Sequence, residues 1–274
     1  DEDGDGIADA SSVFAADLRG ITTEIAGGVL SHDGAVYATV APDVWRFLDR
    51  DGDGVSDERA SIANGFAVHV AYAGHNMHGL AMGPDGRLYW SIGDTGSDAR
   101  PHEGAVFRCE LDGSDFEVFA RGLRNPQELA FDHLGNLFTG DNDADFGDRE
   151  RWVHVVYGAD YGWRFWWQYQ RGDQWRAPDS AYSVWMEEKL WHPAFPGQAA
   201  YIVPGEQWID NGPCGVTFNP GSGMGDAYRH TFFMAHFTGS TGNSSVRSYQ
   251  LEPRGATYAI AQEAAFLGQA VVTG

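Results

Sequence analysis

Apolar and polar residues alternate in short runs along this chain, and the runs are separated by turns that contain glycine. One phrase recurs at residues 31–37 (SHDGAVY), 83–89 (GPDGRLY) and 131–138 (FDHLGNLF). A period of two on both sides of a glycine turn predicts a β-hairpin, because alternate side chains of a strand face the core. Three equivalent hairpins are therefore expected, with Gly34, Gly86 and Gly135 in their turns.

The three aligned glycines are 52 and 49 residues apart, and a looser fourth copy starts at residues 218–221 (FNPG). Further strand patterns follow the copies, as at residues 104–109 and 245–249, without a strong helical pattern between them. A repeat of about 50 residues made of several strands is typical of a β-propeller blade. The sequence predicts an all-β fold, a single β-propeller domain over residues 1–274 with about four blades, whose remaining blades lie outside this sequence.

A long insertion separates the third copy from the fourth, at about residues 162–212. It is rich in tryptophan, and its indoles are at Trp163, Trp166, Trp167, Trp175, Trp185, Trp191 and Trp208. Long insertions in propellers lie on one face, which is usually the binding face. This segment is therefore expected to border the binding site.

The amino-acid composition limits the classes of molecule that the protein is expected to bind. Hydrophobic residues make up 43% of the chain and aromatic residues 14%, which is enough for a sizeable core. The 18 basic and 39 acidic residues give a net charge of −21, which disfavours nucleic acid and anionic membrane surfaces. No run approaches the roughly 18 apolar residues that span a bilayer, so no membrane insertion is expected. Cys109 and Cys214 fit either one disulfide or two buried thiols.

The most specific acidic pattern is D-x-D-x-D-G-x-x-D, which occurs twice with a spacing of 48 residues. Its carboxylates are Asp49, Asp51, Asp53 and Asp57 in one copy, and Asp1, Asp3, Asp5 and Asp9 in the other. Alternate carboxylates around a glycine turn suit Ca²⁺, which prefers oxygen ligands. The twelfth position from Asp49 is Ala60, so the loop is shorter than an EF-hand loop. The alternative is a solvated acidic turn.

Three further clusters fall where propeller loops enter or leave inner strands. His75, in GHNMHG, is placed to act as a general base, although a lone histidine is more often structural. Arg124, in GLRNPQ, offers a planar donor fork to an anionic ligand or pairs with one of the many acids. Asp141 and Asp143 belong to an acidic loop that is either a metal site or is neutralised by its own arginines.

Residues 75–96, 122–141 and 158–163 together resemble soluble quinoprotein glucose/sorbosone dehydrogenases in order and spacing. Those enzymes are six-bladed propellers that use pyrroloquinoline quinone (PQQ) and Ca²⁺. Nearly the whole chain also resembles predicted membrane-bound dehydrogenases of planctomycetes and verrucomicrobia, many of which carry a C-terminal cytochrome c. The sequence has no CxxCH haem motif, so a haem is expected only in a region outside it.

The resemblance implies that His75 is the base, that Arg124 and Asn125 contact the quinone, and that the loop at Asp143 helps to hold Ca²⁺. Two positions depart from the family pattern, because Ala99 replaces a glutamine that contacts the cofactor and Gly74 replaces an aspartate beside the base. The resemblance predicts a periplasmic or secreted enzyme that oxidises a sugar or another alcohol, with a cytochrome as a possible electron acceptor.

Two other functions compete with this hypothesis. The first is a non-catalytic propeller, stabilised by calcium, that binds carbohydrate or protein through its tryptophan-rich face. The second is a metal-dependent lactonase, which needs a central cage of Glu, Asn and Asp, and no such set is evident in the sequence. Electron density on the propeller axis over His75 and Arg124 discriminates between the three.

Overall fold

The computed structural model describes residues 3–18, 25–66, 73–94, 103–143, 148–164, 188–190, 192–198, 207–240 and 242–268. They form four antiparallel sheets, each built from strands that are consecutive in the chain. The first sheet contains β1 (Ala26–His32), β2 (Ala35–Val40), β3 (Asp43–Leu48) and β4 (Glu58–Asn64). The second contains β5 (Met77–Met82), β6 (Leu88–Ile92), β7 (Ala105–Cys109) and β8 (Glu117–Ala120).

The third sheet contains β9 (Ala130–Phe131), β10 (Leu137–Asp141) and β11 (Arg151–Val155). The fourth contains β12 (Pro213–Asn219), β13 (Thr231–His236), β14 (Ser245–Arg254) and β15 (Thr257–Leu267). The leading strands of neighbouring sheets contact each other, β1 against β5 and β9 against β12. This is the arrangement of blades in a β-propeller, and the prediction of an all-β propeller with four blades is confirmed.

The third blade is completed by residues that follow the long insertion. The N–H of Trp152 donates to the carbonyl of Gln207 at 2.9 Å, and the N–H of Ile209 donates to the carbonyl of Glu150 at 3.2 Å. Residues 207–209 thus occupy the outer, fourth-strand position beside β11. Most of the insertion predicted at about 162–212 lies outside the described residues, including Trp166, Trp167, Trp175, Trp185 and Trp191.

The core lies between the blades rather than inside a single sheet. Three buried clusters join the first blade to the second, the second to the third and the third to the fourth. At the last of these, Trp152 stacks on Tyr249 with ring centroids 5.2 Å apart and meets Phe232 edge to face. Burying such large aromatic rings stabilises neighbouring blades against one another.

The repeated glycines do occupy hairpin turns, with φ of 76° at Gly34, 80° at Gly86 and 86° at Gly135. The turns at Gly86 and Gly135 share one hydrogen-bond pattern, in which the glycine N–H donates to the carbonyl three residues earlier. The first turn is shorter: Asp33 and Gly34 both have positive φ, as in a two-residue type I′ turn. The predicted equivalence therefore holds for the second and third copies, and the first copy uses a tighter loop.

Cys109 and Cys214 are free thiols, so the two-thiol alternative is the one that the structure contains. Among the described residues, no helix has the length and apolarity needed to cross a membrane.

The turn geometry generates a stability prediction. Gly34→Ala and Gly86→Ala should each lower the free energy of unfolding by about 1 kcal/mol, because an added Cβ strains a backbone with positive φ. The added Cβ would meet no atom within 4 Å at either site, so packing does not contribute. Gly242 is a matched control with equally open surroundings and no positive φ, and Gly242→Ala should be nearly neutral. Urea unfolding measures these changes, and an equal loss of stability in all three variants would contradict the argument from positive φ.

Candidate functional site

His75 ends a short 3₁₀ helix (Ala73–His75) directly before β5, and only 6% of its surface is exposed. Its Nδ1 lies 2.5 Å from the backbone carbonyl oxygen of Asp94. A carbonyl oxygen can only accept a hydrogen bond, so Nδ1 carries the proton and Nε2 keeps its lone pair in the neutral ring. The imidazole therefore has the tautomer that a base acting through Nε2 requires.

Burial keeps this imidazole neutral. The pKa of His75 is lowered to about 3 in total: desolvation is the largest cause, the positive charge of Arg124 adds to it, and the hydrogen bond to the Asp94 carbonyl opposes both effects. His75 and Arg124 come from the second and third blades, and the backbone of Asp94 contacts both, its carbonyl oxygen the Nδ1 of His75 and its N–H the carbonyl of Arg124.

Arg124 and Asn125 precede the inner strand β9, and a buried carboxylate fixes their backbone. Asp141, at the end of β10, is 1% exposed. Its Oδ1 accepts the N–H of Arg124 at 2.9 Å and that of Asn125 at 2.8 Å. The guanidinium of Arg151 forms an ion pair with Oδ2 in the same buried place. The chain entering the third blade is thereby held to the end of β10.

The same loop is joined to the second blade. Asn125 is 2% exposed, and its Nδ2 donates to the carbonyl of Gly74 at 2.9 Å. The N–H of Asp94 donates to the carbonyl of Arg124 at 2.6 Å. Gly93 permits this close approach, because a Cβ there would clash with the Asn125 side chain and lie 2.9 Å from the Cα of His75. These contacts hold His75 and Arg124 at one end of the seam between the two blades.

A cleft opens beside this seam on the side of the third blade. Its walls are formed by Arg124, Asp141, Asn142, Asp143, Asp148, Arg149, Arg151, Trp163 and Trp208. Arg124 donates to Asn142 Oδ1, and the Arg149 guanidinium lies 5.7 Å from the Trp208 ring centroid. Guanidinium groups and indole faces suit a flat anionic ligand, and the aspartate oxygens suit a hard cation.

The predicted residues take different positions in this site. Arg124, Asp141 and Asp143 line the cleft, and His75 borders the seam beside it. Asn125 and Asp141 hold the backbone at the seam through the contacts described above. A cofactor contact of Asn125 and metal ligation by Asp141 and Asp143 stay predictions.

Sequence reasoning missed Asp94 as part of the site, and it expected Trp163 only as one of several indoles that border the binding face. Asp94 is 5% exposed, and its carboxylate Oδ2 accepts the indole N–H of Trp163 at 2.8 Å. A usable signal was present in the repeat, because Gly93-Asp94 follows β6 as Gly140-Asp141 ends β10. Both glycine–aspartate pairs leave the second strand of a blade and reach the chain at Arg124.

The second acidic loop has the convergence expected of a cation site. One ligand oxygen from each of Asp49, Asp51 and Asp57 lies within 4.8 Å of the others. Asp53 is not part of this group, and its Oδ1 accepts the N–H of Val55 at 2.8 Å instead. The structure thus brings together three of the four predicted carboxylates.

The first acidic loop repeats the conformation of the second. Asp3 Oδ1 accepts the N–H of Asp5 at 3.2 Å, as Asp51 Oδ1 accepts that of Asp53 at 3.2 Å. The glycine of the turn is also alike, with φ of 85° at Gly6 and 84° at the matching position of the second copy. Asp1 lies outside the described residues, and Asp9 is exposed. Calcium binding by this copy stays a prediction.

The fold is a β-propeller like that of quinoprotein dehydrogenases of known structure. The family model described as "Domain of unknown function (DUF7133)" matches residues 1–269, and the chain belongs to that family.

Three known proteins show what the chain is similar to. Quinoprotein glucose dehydrogenase B from Acinetobacter calcoaceticus is 28% identical over 124 residues, a match that covers 32% of this chain and 26% of that protein. The PQQ-bound aldose sugar dehydrogenase from Streptomyces coelicolor superimposes with a TM-score of 0.59 at 22% identity, covering 90% of this chain and 70% of that one. The PQQ domain of pyranose dehydrogenase from Coprinopsis cinerea gives a TM-score of 0.65 at 12% identity, covering 97% and 75%.

The match thus spans about a quarter of the curated quinoprotein's length. The structural likenesses establish the fold, and the sequence match agrees with the resemblance drawn from the residues.

Burial of His75 generates a prediction about acid stability. A histidine whose pKa is lowered by folding stabilises the protein fully above its unfolded pKa, near 6.5, and loses that contribution as the pH falls toward the folded value of about 3. Between pH 7 and pH 5 the loss of this contribution lowers the free energy of unfolding by about 2 kcal/mol. His75→Asn should remove about that much of the pH dependence of the unfolding free energy. Three other histidines whose pKa is lowered by desolvation, the half-buried His78 and His154 and the buried His236, leave a residual dependence in both proteins. Identical pH slopes for variant and wild type would refute the burial argument.

Proposed function

We propose that this chain forms the catalytic propeller of a PQQ-dependent oxidoreductase that oxidises a sugar or another alcohol outside the cytoplasm. The observation that carries the proposal is the pairing at the seam between the second and third blades. There a neutral imidazole with Nε2 unprotonated lies near a guanidinium at the mouth of a cleft. A base and an anion-binding group side by side suit removal of a hydroxyl proton next to an anionic cofactor.

The residue types that line the cleft suit such a cofactor, although among the described residues the cleft has room for little more than a water molecule, so binding requires it to open. PQQ is a flat tricyclic ortho-quinone with three carboxylates, so it needs cationic donors and planar apolar faces. Arg124 and Arg149 provide guanidinium groups, and Trp163 and Trp208 provide indoles. Asp143 and Asp148 place oxygen atoms in the same wall, where Ca²⁺ would be held.

When bound, PQQ would supply the two-electron oxidant, a quinone able to accept hydride from the alcohol carbon. His75 takes the hydroxyl proton at Nε2, while its Nδ1–H stays on the Asp94 carbonyl. Arg124 binds and orients the anionic group, and its backbone is fixed by Asp141. Packing around His75 excludes water from the base, because only 6% of the residue is exposed.

An anion bound at Arg124 would change the pKa of His75. The charge of Arg124 is one cause of the low pKa of His75. An anion bound to Arg124 neutralises that charge, so the pKa of His75 rises toward the working pH. A base becomes more effective as its pKa approaches the ambient pH.

We further propose that the loop with Asp49, Asp51 and Asp57 binds a structural Ca²⁺ at the edge of the first blade. Three carboxylates within 4.8 Å repel one another, and a divalent cation relieves that repulsion. The loop joins β3 and β4, the two outer strands of the first blade, whereas the cleft residues belong to the third blade, so we assign this ion a role in the fold and none in the reaction.

The catalytic proposal predicts the behaviour of two variants after reconstitution with PQQ and Ca²⁺. His75→Asn should bind PQQ normally and lose at least about 10²-fold in aldose oxidation, the usual contribution of a general base. Arg124→Met should weaken PQQ binding. Arg59→Met, which alters an exposed arginine of the first blade, is the control and should change neither property.

Dye reduction measures the turnover, and quenching of intrinsic fluorescence measures quinone binding. The proposal fails if the wild-type protein binds no PQQ at micromolar concentration. The non-catalytic, carbohydrate- or protein-binding propeller would then be the better description.

The calcium proposal predicts that chelation lowers the melting temperature. A ligand bound only by the folded state stabilises it by about 2.7 kcal/mol at a concentration of 100 Kd. Asp51→Ala should reduce the calcium stoichiometry measured by calorimetry by one ion. Asp112→Ala removes an exposed carboxylate from the turn between β7 and β8 and should leave the stoichiometry unchanged. An unaltered stoichiometry in Asp51→Ala would rule out this site.

A further inference from the structure

Trp163 is held rigidly beside the seam between the second and third blades. Its backbone N–H donates to the carbonyl of Gly122 at 2.8 Å, and that of Tyr161 donates to the carbonyl of Arg121 at 2.9 Å. Asp160 and Arg121 also form a parallel bridge, so residues 160–163 run alongside residues 121–122. The side chain of Trp163 is 6% exposed. The indole therefore has little freedom to change its direction.

The indole N–H points to the carboxylate of Asp94, a residue 69 positions earlier in the chain, at 2.8 Å. The backbone of Asp94 is hydrogen-bonded to both candidate functional residues of the seam, His75 and Arg124. Its carbonyl oxygen accepts the Nδ1–H of His75 at 2.5 Å, and its N–H donates to the carbonyl of Arg124 at 2.6 Å. The side chain of Asp94 and the peptide groups on both sides of it meet at one Cα. A contact that fixes the side chain therefore also limits rotation of these peptide groups.

We infer that Trp163 is a positioning residue for the imidazole of His75. By holding the Asp94 carboxylate, the indole orients the Asp94 carbonyl, which keeps the proton of His75 on Nδ1 and the lone pair on Nε2. A buried carboxylate that loses a donor turns toward another one, because an unsatisfied buried charge is costly. Arg124, whose backbone carbonyl already accepts the N–H of Asp94, is one such donor, and a carboxylate drawn toward it would turn the Asp94 carbonyl away from Nδ1 of His75.

The effect on catalysis rests on the proposed function. The effect on the His75 tautomer does not depend on a bound quinone. The tautomer of His75 can be measured in the protein without PQQ by ¹⁵N nuclear magnetic resonance of labelled histidine. Comparison with His75→Asn assigns the signals. In the wild-type protein, His75 should be protonated on Nδ1. Protonation on Nε2 in the wild type would overturn the inference without any variant of Trp163.

Trp163→Phe is the decisive variant, because it keeps an aromatic ring and removes the N–H. We expect the ratio of the Nδ1–H to the Nε2–H tautomer to fall about tenfold, which corresponds to one lost hydrogen bond. If PQQ supports turnover, kcat at saturating PQQ should fall by a similar factor while the KM for the sugar stays within about twofold. An unchanged tautomer ratio in a folded variant would refute the positioning role.

Trp152→Phe is the matched control. Trp152 is a buried indole of the core between the third and fourth blades, and its Nε1 makes no hydrogen bond within the described part of the chain. It should leave the His75 tautomer unchanged. Asp94→Asn tests the same contact from the other side, because an amide oxygen still accepts the indole N–H without a charge. This variant should retain the wild-type tautomer, and loss of the tautomer there would show that charge rather than orientation is responsible.

Discussion

The buried carboxylate of Asp141 is the interaction on which the mouth of this propeller depends. A carboxylate that is 1% exposed is tolerable only when its charge is paired and its oxygens accept hydrogen bonds. Arg151 supplies the charge, and the N–H groups of Arg124 and Asn125 supply hydrogen bonds. Because these N–H groups belong to the chain that enters the next inner strand, compensation of one buried charge also sets the position of Arg124.

The loop that contains Arg124 and Asn125 is also hydrogen-bonded to the second blade. The Asn125 amide reaches the carbonyl of Gly74, and the Arg124 carbonyl accepts the N–H of Asp94. His75 lies between these two contacts, and the tight packing made possible by Gly93 removes water from its ring. The same packing that joins the blades thus gives a neutral imidazole with a pKa of about 3 near a cationic guanidinium. The contacts that join the blades and the proposed reactivity of His75 therefore have one physical origin.

Much of the fold could be predicted from the sequence, because it is encoded locally. The two-residue period and the glycines with positive φ specify hairpins, and their spacing specifies blades. The site was only partly predictable. His75 and Arg124 precede inner strands of adjacent blades, so the repeat itself indicates that they lie close together. The bond from Trp163 to Asp94 joins positions that share no period, and the role of Gly93 depends on a neighbour in another blade.

The pairing of residues 207–209 with β11 could not be predicted from the repeat either, because a long insertion separates the two segments in sequence. The most direct measurement of the central claim is a crystal structure of the protein soaked with PQQ and Ca²⁺. The account predicts electron density for the tricyclic quinone in the cleft, bordered by His75 and by the guanidinium of Arg124. A cleft that holds only solvent at saturating PQQ and Ca²⁺ would contradict it.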